Sequence, residues 1–90
     1  MKNYIIIVDS SESANIIQDK IQSIGKYYKL SEYSFIVSTD RERAQIIYNE
    51  LSGGAQFGIV VFELKTTNGM NYWGYSSKEL WKWLSDNEIK

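Results

Sequence analysis

Five consecutive apolar residues, Tyr4-Ile5-Ile6-Ile7-Val8, run without a break into a carboxylate and a hydroxyl, Asp9-Ser10. A run this short and this rich in β-branched side chains reads as a strand, and its lack of polar alternation predicts burial on both faces, as at the centre of a sheet. Every other apolar segment then needs a place beside it or against it. A carboxylate at the end of such a strand is well placed for chemistry, because side chains at strand ends stand on loops held by a rigid scaffold.

The rest of the chain alternates between strand and helix signals. Asp9-Ser10-Ser11 offers several N-cap side chains, and Ile17, Ile21 and Ile24 recur at helical spacing, which predicts a helix over Glu12 to Ile24 with Gly25 as a left-handed C-cap. Lys26 to Leu30 and Tyr33 to Thr39 read as strands joined through Ser31-Glu32, with Tyr33, Phe35 and Val37 on one face and Ser34, Ile36 and Ser38 on the other. Thr39-Asp40-Arg41-Glu42 matches a capping box opening a second helix striped by Ala44, Ile47, Tyr48 and Leu51, which Ser52-Gly53-Gly54 ends. Phe57 to Leu64 is a further strand. Asn68-Gly69 then signals a tight hairpin into a short edge strand over Asn71 to Gly74, and Ser76 with Glu79 forms another capping box for a last helix carrying Leu80, Trp83 and Leu84.

The order strand, helix, strand, strand, helix, strand is that of an α+β, ferredoxin-like split βαβ sandwich (βαββαβ), here with a C-terminal hairpin strand and short helix. Right-handed crossovers place Asn3 to Val8 and Tyr33 to Thr39 in the middle of the sheet, with both helices on one face. The opposite face is left uncovered, and Tyr4, Tyr28, Phe62, Tyr72 and Trp73 are more aromatics than a small surface accommodates, so that face is expected to bury itself by self-association.

Composition narrows the chemistry. Ninety residues, 43% hydrophobic, suffice for one core, so a single domain over residues 1–90 is expected. There is no cysteine, which excludes disulfides and thiolate chemistry, and no histidine, which excludes a histidine general base, a histidine metal site and a Ser-His-Asp triad. No apolar run approaches the ~18 residues of a membrane span and Met1-Lys2-Asn3 does not open a signal peptide, so a soluble cytoplasmic protein without a membrane partner is expected. Ten basic and eleven acidic residues leave a net charge of −1 and no global attraction to nucleic acid. Gly53-Gly54 lacks the lysine and spacing of a phosphate-binding loop.

Candidate sites are correspondingly local. Asp9 is either a metal-binding or catalytic carboxylate, the kind of oxygen ligand that Mg²⁺ takes, or a cap on the first helix; both roles can coexist. Ser10, Ser11 and Ser13 either touch phosphate at a helix N-terminus or cap the helix. Arg41 and Arg43, with Lys20, Lys26 and Lys29, either make a basic patch or solvate a helix start, and Tyr27 and Tyr28 beside them either stack on bases or fill an edge strand. Trp73, Trp81 and Trp83 read either as a satellite core under the last helix or as a partner-binding hot spot.

The strand ending in Asp9, the βαββαβ order and the segment Trp73-Gly74-Tyr75 followed by Leu80-Trp81-Lys82-Trp83-Leu84 resemble the small CRISPR-associated adaptation nuclease, the second Cas protein, and more closely its SinR-like relatives. The resemblance covers nearly the whole chain. It implies a homodimer packed sheet to sheet, in which Asp9 of each copy faces its twin and the pair shares a divalent metal such as Mg²⁺ for cleavage of nucleic acid. Val8 stands before Asp9 where tyrosine is common in that family. Two functions are therefore expected: a metal-dependent nucleic-acid-binding or endonuclease protein, or a non-catalytic dimeric interaction or regulatory module.

Overall fold

The protein is described by a computed structural model over residues 1–53 and 58–64, with Glu79, Lys82, Trp83 and Asp86. Its elements are β1 (Lys2–Val8), α1 (Ser11–Ile24), β2 (Gly25–Ser31), β3 (Ser34–Thr39), α2 (Ala44–Ser52) and β4 (Ile59–Leu64). The strands form one antiparallel sheet in the order β2-β3-β1-β4, so β1 and β3 are central as the sequence predicts. The result is a small α+β sandwich compatible with a ferredoxin-like arrangement. The hairpin at Asn68-Gly69, the edge strand beyond it and the Ser76 cap lie outside the described residues; Glu79, Lys82, Trp83 and Asp86 are helical.

Alternation along β1 sends Tyr4, Ile6 and Val8 into the helix-facing core, with Phe35 and Val37 from β3, Ile17 and Ile21 from α1, and Ile47 and Leu51 from α2. Tyr4 is thus fully buried among the helices and contributes nothing to the other face, contrary to expectation. Ile5 and Ile7 point to the face opposite α1 and α2, where Ile7 remains 42% exposed. The predicted two-sided burial of β1 therefore fails toward its C-terminal end, because α1 and α2 both pack on the other face. Tyr33 does not continue the Phe35–Val37 face: it precedes β3, is largely exposed, and accepts a backbone hydrogen bond from Val8.

Two end signals read differently in three dimensions. Gly25 is extended rather than left-handed and begins β2. A side chain there would run into the Ser38 carbonyl of β3, so glycine is set by strand contact rather than by helix termination. The Thr39 capping box does not form either. Thr39 is the buried last residue of β3, and its hydroxyl donates to the Ile24 carbonyl at the end of α1. With Thr39 held by sheet pairing to Lys2 and Gly25, α2 starts at Ala44, with Arg43 as N-cap and no side-chain cap. Its C-terminal end is as predicted: Gly53 has φ 60 and its N–H returns to the Asn49 carbonyl.

Candidate functional site

β1 delivers Asp9 to the rim of the sheet between the start of α1 and the start of β4. The Asp9 N–H donates to the Gly58 carbonyl at 2.9 Å, prolonging the β1–β4 ladder by one step beyond Val8 and Ile59. The Asp9 carboxylate lies over Gly58 at the entry to β4, where a Cβ would make it swing aside. Ile7, Val8, Asp9, Gly58, Ile59 and Val60 line an open depression of about 340 Å³. Asp9 is exposed, and no side chain among the described residues bonds or ion-pairs with its carboxylate.

Ser10, not Asp9, caps α1. Its extended backbone sets Oγ to accept from the Ser13 N–H at 3.1 Å, and the same hydroxyl donates to Ser13 Oγ at 3.0 Å. Ser11 is the first residue of α1 and exposed. Asp9 is left free of a capping role.

The two aromatic candidates fall on opposite faces of the sheet. Tyr27 faces the helices: its ring is 6.1 Å from that of Phe35, and its hydroxyl accepts from Gln18 and Gln22 of α1. Tyr28 faces the other way and lies 6.4 Å, ring to ring, from Trp83. Adjacent strand residues on opposite faces cannot form one stacking platform. Lys29 follows Tyr27 to the helix side, its ammonium 5.9 Å from the Phe35 ring centroid. Lys26 is exposed, and Lys20 donates to the Leu51 carbonyl near the end of α2, where a cation suits the helix dipole.

Arg41 sits at the opposite end of β1 from Asp9, beside Tyr4, whose hydroxyl donates to the Arg41 carbonyl at 2.7 Å. Its guanidinium is committed within the chain: Nε and Nη2 grip Glu50 at 2.8 and 3.1 Å, and Nη1 reaches Asp40 at 2.7 Å. These bonds to Glu50, then Asp40, hold it still more firmly in the charged form. Arg43 is exposed, and its backbone carbonyl receives the first turn of α2.

No three acidic, histidine or cysteine side chains come together among the described residues. Among the described residues Asp9 stands without a cluster of further ligands, which does not fit the several oxygen ligands that Mg²⁺ takes up, and no step is derived through it. What the sequence did not reveal is Gly58 as the seat of that carboxylate and Val60 as its apolar neighbour. Because Ile59-Val60-Val61-Phe62 is apolar on both faces, it carried the signal for Val60, whereas Gly58 becomes meaningful only when β4 lies against β1.

The arrangement defines a class: an α+β sandwich with one helix-covered sheet face, one partly open apolar face, and a free carboxylate at the rim of the latter. Compared with protein-family models, curated proteins and solved structures, the chain matches none. No helix among the described residues is long and apolar enough to cross a membrane.

Proposed function

We propose that the protein is a ferredoxin-like, cytoplasmic interaction module that works as a homodimer joined through the sheet face opposite α1 and α2. The observation that carries this reading is a strip of apolar side chains on neighbouring strands. Ile7 stands directly opposite Val60, Ile5 opposite Phe62, and Ile7, Val60 and Phe62 are 42%, 51% and 52% exposed. A second copy is the occupant this strip suits: an isologous contact needs only a self-complementary patch, and a net charge of −1 opposes it little. Sedimentation velocity over a range of concentrations tests it. The wild type should shift from monomer to dimer, and Phe62→Lys should stay monomeric with unchanged secondary structure; a wild type that is monomeric throughout overturns the reading.

A second reading, in line with the resemblance to adaptation nucleases, is favoured by the unengaged Asp9 carboxylate beside that strip. In it, two copies bring two Asp9 side chains to one divalent metal and a nucleic-acid phosphodiester. Labelled RNA and DNA, incubated with wild type and Asp9→Ala across a Mg²⁺ titration, decide this. Because Ser10 is the cap, Asp9→Ala leaves the fold intact, and metal-dependent cleavage that it abolishes would put this reading ahead; cleavage that survives the substitution, or none at all, removes it.

A further inference from the structure

The sheet face opposite α1 and α2 is not uniformly open, and the boundary falls within β1. Asn3 is 6% exposed, Ile5 is half-buried and Ile7 is 42% exposed, although all three point the same way. On β3 the neighbours of the first two, Ser38 and Ile36, are 4% and 3% exposed. A side chain flanked only by others in its own sheet keeps its tip in water, so exposures this low require atoms lying above the sheet. Neither α1 nor α2 supplies them, since both pack on the other face. Tyr28, paired with Ile36 across β2 and β3, is met by the Trp83 ring at 6.4 Å with the planes tilted by 54°. Trp83 is itself half-buried, whereas its helical neighbour Lys82 is exposed and pairs with Asp86.

We infer that Trp83 is an intramolecular cover, docked on Tyr28, that shields the Tyr28–Ile36 half of the face opposite α1 and α2 and competes with self-association there. With Trp83 in place the surface available to a second copy ends at Ile7, Val60 and Phe62. With it displaced, the apolar rows continue through Ile5 to Ile36 and Tyr28, across all four strands. The competition rests on the proposed dimer; the cover does not.

Trp83→Ala is the test, with Lys82→Ala as control because it removes only an exposed ion pair, and Trp83→Phe as the variant that keeps a ring. Binding of anilinonaphthalene sulfonate reports uncovered apolar surface, and sedimentation reports association. Trp83→Ala should raise dye fluorescence several-fold and tighten dimerisation about tenfold, the scale of a recovered aromatic contact. Trp83→Phe should fall between it and the wild type, and Lys82→Ala should match the wild type. Unchanged dye binding in Trp83→Ala overturns the cover, and raised dye binding with unchanged dimerisation overturns the competition. Raised dye binding in a chain that is monomeric with and without Trp83 supports the cover and overturns the dimer instead. Should Trp83→Ala unfold, graded dye binding in Trp83→Phe decides the matter.

Discussion

Tyr4 joins two parts of the molecule through one side chain. Its ring fills the core between sheet and helices, and its hydroxyl donates to the Arg41 carbonyl ahead of α2. Burial, and after it the negative charges of Glu63 and Glu42, raise its pKa above the ordinary 10.0. A raised pKa means that the folded state favours the protonated phenol. The associated stability is fully present below pH 10 and is lost as pH rises through the folded-state value. Tyr4→Phe should therefore do two things in urea titrations. At neutral pH it should lower stability by about 1 kcal/mol, because a carbonyl loses its partner. Above pH 10 it should lose stability less steeply than the wild type, since the other tyrosines titrate in both chains and the difference isolates this one. Parallel alkaline curves would mean that the Tyr4 phenol ionises as freely folded as unfolded. The sequence placed Tyr4 in the correct strand and on the wrong face: the run from Tyr4 to Val8 has no polar residue to mark which parity faces the helices, and that parity is set by β3 and the helices.

Among the elements, the central strands and the first helix were legible from local pattern, because β-branched runs and the three-to-four-residue spacing of Ile17, Ile21 and Ile24 need no tertiary partner to be recognised. Helix ends were less so. Thr39 has the residue type and spacing of a capping box, yet its backbone is paired to Lys2 and Gly25, and its hydroxyl donates to the Ile24 carbonyl while accepting from the Arg41 N–H at 3.3 Å, one residue short of Glu42. α2 consequently begins with Arg43, which has the extended backbone of an N-cap (φ −141, ψ 146) and makes no side-chain cap bond. A serine at that position meets the geometric requirement without any backbone change. Arg43→Ser should stabilise the protein by about 1 kcal/mol, the usual worth of such a cap, as a higher urea midpoint at unchanged slope. A destabilised variant would show that the arginine does more than start a helix.

At the scale of the whole molecule, the sequence identified the charged and aromatic residue types but not their engagement. Lys29 and Tyr27 are on the helix side, Tyr28 is beneath Trp83, Lys20 closes α2, and Arg41 is held by Glu50 and Asp40. Arg41 and Asp9 also stand at opposite ends of β1, about 20 Å apart for a seven-residue strand and thus beyond a Debye length of about 10 Å in ordinary buffer. Arg41 therefore does not reach the Asp9 rim, and eleven acidic residues against ten basic ones leave no net positive field to draw in a polyelectrolyte. Fluorescence anisotropy with single-stranded and duplex oligonucleotides, at protein concentrations where only monomer is present, should accordingly give dissociation constants no tighter than about 10⁻⁴ M near physiological salt. Arg41→Ala should leave even that binding unchanged, since its guanidinium is already neutralised in place. The salt dependence is the sharper measure, because each phosphate neutralised adds nearly one to the slope of log affinity against log salt. A slope steeper than about −3 would mean that several cations engage the backbone together, and would support the basic-patch reading.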